Sequence, residues 1–291
     1  MFGSPKNGVT NLKRNPFKCL RKIVKKEIDR PRVDRQETVY DDSYIDYLVL
    51  KDIECVDADG NVFEKYEELH VAKNVERSEA GNHISFTPYK AIAHFEEKGW
   101  FLPSMALSCN ILVKLFDKAV RKRADGSYET LDPEAKAVLD TYKDYGLSWG
   151  WHAQNTLIDY GSSRIIHYPS NSDFTSRGGN RGINGNRTRR ILEFSKDGLQ
   201  ESKLEGILNR SNPGLTRFLK QFTGLRDLEK LVEIGDYFGK PAKLWFPWSG
   251  NGGREFNETR SGWLGWDGSC NFDLDGGYLY YDNCASGVRE P

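Results

Sequence analysis

The side chains that could do chemistry are concentrated near the end of the chain, in residues 267–284, which read DGSCNFDLDGGYLYYDNC. Oxygen-bearing side chains recur there at every second position, namely Asp267, Ser269, Asn271, Asp273 and Asp275. This spacing is like the opening of an EF-hand calcium loop, which needs glycine at its sixth position and glutamate at its twelfth. Phe272 and Tyr278 occupy those two positions, so the sequence predicts no calcium site.

The rest of the chain has no arrangement typical of catalysis or of a metal site. Its five histidines are scattered, without HExxH or HxH spacing, and no GxSxG motif is present. The glycine pattern GGNRGING at residues 178–185 lacks a preceding strand and a following P-loop lysine. We therefore expect no catalytic residue, no metal and no cofactor, and the chain is not predicted to be an enzyme.

Arginines cluster beside this glycine pattern and could in principle bind phosphates: Arg177, Arg181, Arg187, Arg189 and Arg190. Aromatic residues, which would stack on bases, are missing from the segment apart from Phe174. The composition favours a solvated loop or a set of ion pairs, and nucleic acid is not an expected partner.

The composition of residues 267–284 is itself unusual, because the segment contains no Lys, Glu, Gln, Met or Trp. Every residue present can be reached from an asparagine codon by changing its two adenines while keeping its last pyrimidine, and none of those five can. The mixture of Tyr, Ser, Gly and Asn is also typical of a paratope. The alternative is an ordinary loop, rich in Gly and Asp, that closes a β domain.

The elements that must position this segment begin with a predicted hairpin. Residues 44–56 are β-rich, residues 57–60 (DADG) form a turn signal, and residues 61–74 alternate as a return strand. A helix is predicted from Pro88 to Gly99. A second helix should begin at Pro103 and Ser104, with Leu107, Ile111 and Leu115 along one face.

Residues 121–240 are predicted to form a large insert. Within it, Asp132 and Pro133 start a helix that runs to Tyr145. Two strands are expected on either side of a turn at Gly161, and the region from Pro213 to Asp236 should be helical again.

The charge distribution and the cysteine content limit the possible partners of the protein and the redox state of its thiols. The net charge is zero, yet residues 1–40 carry eleven Lys or Arg against four Asp or Glu. This basic arm could meet nucleic acid, a membrane surface or an acidic partner, or it could be a solvated tail. The five cysteines have no CxxC spacing, so reduced thiols are expected; Cys270 and Cys284 alone look near enough to pair. We expect neither a signal peptide nor a membrane span.

Two separated blocks resemble the formylglycine-generating enzyme superfamily, which has a C-type lectin fold. AIAHFEEKGWFLPS, followed by MALSCNILVKLF, is similar to that superfamily's helix, glycine, Leu-Pro-Thr/Ser link and second helix. GWLGWDGSCNF and CASGVREP resemble its closing hairpin, which ends in a Gly-(Phe/Val)-Arg strand, here Gly287, Val288 and Arg289. With the asparagine-derivable segment, the chain resembles a variable protein of a diversity-generating retroelement of an archaeal or archaeal-virus kind.

The resemblance implies an α+β chain with a C-type lectin fold. A basic arm (residues 1–42) would precede a lectin-type domain (43–291), with the insert at 121–240 and a variable ligand-binding region at 245–291. The residues to which the family's ligand-binding role is carried over are Asp267, Ser269, Cys270, Asn271, Asp273, Asp275, Tyr278, Tyr280, Tyr281, Asp282, Asn283 and Cys284.

The same resemblance implies which residues support that surface. Trp263, Trp266, Phe272 and Val288 would form a packed base. Arg289 would pair with a buried carboxylate. The expected partner is a protein or glycan ligand on a target surface, while the oligomeric state stays open, as does the location on a virion, on a cell surface or inside a cell.

Two other functions remain open at this point. A carbohydrate-binding lectin of fixed specificity would use the same fold. An oxidase of the formylglycine-generating type would use Cys270 and Cys284 with copper, although the residues around these cysteines do not match the active-site segment of that enzyme.

Overall fold

The computed structural model describes residues 45–77, 84–145, 151–168, 189–195, 202–203, 213–239, 242–244, 259–266, 272–277 and 284–291. These residues form a mixed α+β unit and all belong to one compact body, Asp41–Pro291. The described strands are β1 (Tyr47–Val56), β2 (Val62–Ala72), β3 (Val120–Lys122), β4 (Tyr128–Thr130), β5 (Trp151–Asp159), β6 (Arg164–His167), β7 (Arg190–Glu193), β8 (Ser202–Lys203), β9 (Ala242–Leu244), β10 (Thr259–Trp266), β11 (Phe272–Gly277) and β12 (Val288–Arg289). The described helices are α1 (Pro88–Glu97), α2 (Met105–Ala119), α3 (Pro133–Tyr145), α4 (Pro213–Thr223) and α5 (Glu229–Phe238).

The predicted hairpin at the start of this unit is confirmed. Strands β1 and β2 pair antiparallel, with Tyr47 opposite Ala72. The Asp57 carboxylate organises the turn by accepting hydrogen bonds from the backbone N–H groups of Asp59 (3.0 Å) and Asn61 (2.9 Å). Strand β12, from the end of the chain, pairs with the free side of β2 and completes a three-stranded sheet.

The two predicted helices after the hairpin are also confirmed. Thr87 caps α1, and its side chain accepts a hydrogen bond from the Lys90 N–H at 3.4 Å. Ser104 caps α2 in the same way, accepting from the Leu107 N–H at 3.1 Å. Helix α2 is buried around most of its circumference, which is typical of a helix at the centre of a domain.

The predicted helical region from Pro213 is divided into two helices, α4 and α5, by a break at Gly224. This glycine has a left-handed backbone with φ of 63°, a conformation that ends helices. It also lies directly against α2, because a Cβ atom at this position would be 2.7 Å from the Cβ of Ala106. The break therefore lets α4 end close to the core helix.

A seven-stranded sheet in the order β7-β6-β5-β10-β11-β9-β8 lies at the centre of the described residues. Its neighbouring strands are antiparallel except for β9 and β11, which are parallel. Four of its strands, β5 to β8, come from the segment predicted to be an insert. Because β5 pairs directly with β10, this segment belongs to the body of the fold and is not an appendage.

Two apolar clusters cover the two faces of this sheet. The larger cluster packs α2, α4 and α5 against it and includes Leu264 and Leu274. The smaller one includes Phe95 of α1, Trp100 and Trp263. The predicted core positions Trp263 (2 % exposed) and Val288 (1 % exposed) are thus confirmed, whereas the side chains of Trp266 and Phe272 lie outside the described ones.

Among the described residues, none of the helices is long and apolar enough to span a membrane.

Gly287 marks a close approach between the end of the chain and α1. A Cβ atom there would lie 2.5 Å from Cδ1 and 2.7 Å from Cε1 of the buried Phe95 ring. We predict that Gly287→Ala lowers the free energy of unfolding by about 1–3 kcal/mol, because the added methyl group overpacks the contact. Urea denaturation followed by circular dichroism measures this.

Phe95→Leu provides the control for this prediction. The smaller side chain gives the new methyl group room, so the double variant should lose less stability than the sum of the two single variants. Strictly additive losses would show that position 287 does not pack on the Phe95 ring.

Candidate ligand-binding surface at the terminal hairpin

The terminal hairpin formed by β10 and β11 frames the predicted binding segment. Its register places Trp266 opposite Phe272, Gly265 opposite Asp273 and Trp263 opposite Asp275. On its other side, β10 pairs with β5. The hairpin is therefore anchored to the middle of the seven-stranded sheet.

The described part of this hairpin is buried on both faces. Leu264 (2 % exposed) and Leu274 (0 %) are cross-strand partners in the larger cluster. Trp263 packs into the smaller cluster, on the other face of β10. Because a fully buried tryptophan removes a large apolar area from water, Trp263 ties this strand firmly to the fold.

Most of the predicted binding residues lie outside the described residues: Asp267, Ser269, Cys270, Asn271, Tyr278, Tyr280, Tyr281, Asp282 and Asn283. For Asp273 and Asp275 the structure gives the backbone, and it places both in β11 on either side of Leu274. Cys284 is the one predicted binding residue whose side chain is described.

Cys284 differs from the prediction because its side chain is buried. It is 7 % exposed, packs with Val75, and makes a β-bridge to His152 of β5. Burial raises the pKa of the Cys284 thiol to about 12. A buried, protonated thiol offers little to a ligand, so we remove Cys284 from the binding surface and assign it to the supporting frame.

Two aromatic side chains complete the surroundings of Cys284. The Tyr142 and His152 rings stack with centroids 5.2 Å apart and planes 13° apart. Burial, and secondly the neighbouring Cys284 thiol, raise the pKa of the Tyr142 hydroxyl. The end of the predicted binding segment is thus held by packing between α3 and β5.

The contacts described for Arg289 join it to His70 and to two aromatic rings, and its pairing with a buried carboxylate stays a prediction. Its Nε lies 3.3 Å from Nδ1 of His70. Its guanidinium also lies over two rings, 5.3 Å from the centroid of Tyr47 and 5.2 Å from that of Trp100. Cation–π attraction to these rings holds the terminal strand against the hairpin of β1 and β2.

Among the described residues considered for chemistry, Arg190 and His94 are engaged in ion pairs. Arg190 pairs with Asp57 at 3.2 Å, which agrees with an ion-pairing role for the arginine-rich segment. The Glu76 carboxylate contacts His94 at 3.1 Å and also Lys98. Burial of Glu76 acts to raise its pKa, but these two contacts outweigh burial and lower the pKa. Within the described ranges, no group of three or more His, Cys, Asp or Glu is arranged to hold a metal ion.

A layer of polar side chains, which was not predicted from the sequence, is buried between α2 and the sheet. Ser108 of α2 contacts Gln154 of β5 through their side chains. Thr156 Oγ1 lies 2.9 Å from His167 Nδ1, and the Met105 N–H donates to the same oxygen at 2.9 Å. The available signal was the polar run His152 to Thr156 inside a predicted strand, since a central strand is usually apolar.

Comparison of this chain with protein-family models, with curated proteins and with solved structures finds no match.

We predict that the Cys284 thiol is protected in the folded protein. At pH 8 its alkylation by iodoacetamide should be slower than in the urea-unfolded chain by on the order of 1,000-fold, because a pKa of about 12 leaves little reactive thiolate. Peptide mass mapping after timed alkylation measures this rate.

Cys109 serves as an internal control, because it is fully buried and burial raises the pKa of its thiol as well. Equal alkylation rates at Cys284 in the folded and the unfolded protein, with Cys109 still protected, would contradict the prediction and show that the Cys284 thiol is exposed.

Proposed function

We propose that this chain is a ligand-binding protein in which a fixed C-type lectin scaffold carries a diversified surface near its end. The observation that carries the proposal is that buried residues lie directly before and directly after the asparagine-derivable segment. Residues 267–283 leave a buried strand, β10, and end at a buried stretch that begins with Cys284. A surface of changeable residues needs an unchanging packed base of this kind.

The topology agrees with the proposed scaffold in two respects. The Gly-Val-Arg segment forms a terminal strand, β12, which closes on the first hairpin of the unit. Phe101, in the link between α1 and α2, bridges Val288 of this strand. The two blocks that carry the family resemblance thus contact each other, although they are far apart in the sequence.

The register of β11 indicates which of its positions could belong to the proposed surface. Leu274 is completely buried in the larger cluster. Because successive positions of a strand alternate between its faces, positions 273 and 275 belong to the other face of the sheet. This parity agrees with a fixed role for Leu274. It does not by itself support a binding role at position 275, because the cross-strand partner of that position, Trp263, packs into the smaller cluster on the same face.

The chemistry of the proposed site favours a basic or polar ligand. Tyr278, Tyr280 and Tyr281 would serve as aromatic anchors, since tyrosine combines a large apolar face with a hydrogen-bonding group. Asp267, Asp273, Asp275 and Asp282 would add an acidic rim. A protein or a glycan on a target surface could provide such groups.

The three tyrosines distinguish binding from structural support. We predict that changing Tyr278, Tyr280 and Tyr281 to alanine removes binding of labelled protein to a glycan array or to intact cells, with the melting temperature changed by less than about 3 °C. Trp263→Ala is the control, and it should cost about 3–5 kcal/mol because that side chain is buried. A comparable loss of stability in the tyrosine variant would place the tyrosines in the core and contradict the proposal.

Diversification makes a separate prediction about the gene. Copies of its 3′ segment from related genomes should differ almost only at asparagine-derivable codons within residues 267–283. The codons of Leu274 and Cys284 should stay constant, because both side chains are buried. Sequencing should also find a near-identical copy of the segment beside a reverse-transcriptase gene.

Two results would favour the alternatives. Differences spread evenly over the gene, with one glycan bound by every copy, would indicate a lectin of fixed specificity. Copper binding through Cys270 and Cys284 that is lost in a Cys270→Ser variant would indicate an oxidase.

A further inference from the structure

His167 is the most deeply buried titratable side chain in the polar layer between α2 and the sheet. It is 0 % exposed and extends from β6. Its Nδ1 lies 2.9 Å from Thr156 Oγ1 of β5, and its Nε2 lies 2.8 Å from the backbone carbonyl oxygen of Gln221 in α4. One imidazole ring therefore links two strands of the sheet to a helix that packs on them.

The hydrogen-bond pattern fits a neutral imidazole with its proton on Nε2. The Gln221 carbonyl can only accept, so His167 Nε2 must donate to it. Thr156 Oγ1 already accepts from the Met105 N–H at 2.9 Å, which leaves its own hydroxyl proton to donate to His167 Nδ1. A proton added at Nδ1 would turn this nitrogen from an acceptor into a donor, so the Thr156 hydroxyl would have to rotate its own proton away from the ring. It would also place a positive charge in a fully buried layer, and both effects weaken the link from α2 to α4.

The described contacts of the ring include no carboxylate that would stabilise a positive charge on it. On one side the Phe63 ring of β2 stacks on the imidazole at 5.5 Å and 13°. The nearest charged group on the neighbouring strand is Arg190, the cross-strand partner of His167. Its guanidinium lies 5.9 Å from the centroid of the same Phe63 ring and pairs with Asp57. From α2 and α4 the facing groups are neutral, namely the Met105 N–H and the Gln221 carbonyl.

We propose that His167 is an acid-sensitive latch, whose protonation weakens the hydrogen-bonded link between α2, the sheet and α4. The consequence reaches beyond one side chain, because α4 carries Phe218 and Phe222 in the larger cluster and its Arg217 pairs with Asp59 in the turn of the first hairpin at 2.8 Å. Release of α4 exposes this part of the core and frees the hairpin turn. This latch is independent of the proposed ligand-binding function.

The direction of the pH effect follows from burial. Burial lowers the pKa of His167 to about 4, opposed by its hydrogen bond to the Gln221 carbonyl. Because the folded-state pKa lies below the unfolded value, the stabilisation is complete above pH of about 6.5 and is lost as the pH falls towards 4. Over this range the equilibrium constant for unfolding should rise about 30-fold by pH 5 and about 150-fold by pH 4 from this group alone.

The test compares His167→Gln with the parent protein by urea unfolding between pH 7.5 and pH 4. Glutamine keeps an N–H donor for the Gln221 carbonyl but cannot take up a proton. The variant should be less stable than the parent at pH 7.5, and its equilibrium constant for unfolding should rise about 30-fold less by pH 5.

Phe222→Leu is the matched control, since it weakens the same helix without removing a titratable group. It should keep the full pH dependence of the parent. An equal pH dependence in the His167→Gln variant and in the parent would overturn the latch.

A measurement on the unaltered protein covers the case in which His167→Gln does not fold. Nitrogen-15 NMR of the imidazole should report a proton on Nε2 and none on Nδ1 at pH 7, with no titration above pH of about 5. A ring that gains its proton near pH 6.5 while the protein remains folded would show that protonation breaks nothing.

Discussion

The described fold depends on the near-complete burial of helix α2. A helix buried around most of its circumference needs apolar neighbours on several sides, and here they come from the first hairpin, from α3, α4 and α5, and from strands β5 and β10. Burial also removes water from the first turn of the helix, where backbone N–H groups have no partner within the helix. Ser104 Oγ accepts from the Leu107 N–H and Thr156 Oγ1 from the Met105 N–H, so side chains replace the missing water.

The same requirement explains why the layer between α2 and the sheet is polar. Once Thr156 is fixed beneath the helix, its hydroxyl proton needs an acceptor, and His167 provides one. The other nitrogen of His167 then satisfies the Gln221 carbonyl near the end of α4. Buried networks of this kind are costly when broken and help to specify one arrangement of the elements. The latch proposed for His167 is thus a consequence of how the core helix begins.

The proposed binding surface differs from this interior in that its side chains would be free to change. The frame around residues 267–283 is dense: Trp263, Leu264 and Leu274 are buried before and within the hairpin, and Cys284 and Val288 are buried after it. Gly287 is packed on Phe95, and Arg289 lies over Tyr47 and Trp100. Side chains between these anchors could change without altering the packed base, which is the physical condition for a surface that accepts many sequences.

Much of the local structure could be predicted from the sequence. The DADG turn, the helix starts at Pro88 and Ser104, the Asp132-Pro133 helix start and the spacing of Leu107, Ile111 and Leu115 are signals contained within a few residues. Each corresponds to an element in the structure, because capping and turn formation are decided by neighbouring backbone and side-chain groups. The composition of residues 267–284 likewise belongs to the sequence alone.

Only the tertiary structure decided which elements meet. Pairing of Ala153 with Trp263 joins residues that are far apart in the chain, and no local signal reports it; the segment predicted to be an insert therefore proved to supply strands of the central sheet. The burial of Cys284 against β5, the rings beneath Arg289 and the partners of His167 depend on the same long-range packing. The sequence determines which hydrogen bonds each residue can make and how much apolar surface it can bury. The neighbours of a residue are determined by tertiary packing, because the whole chain folds so that its apolar surfaces are removed from water.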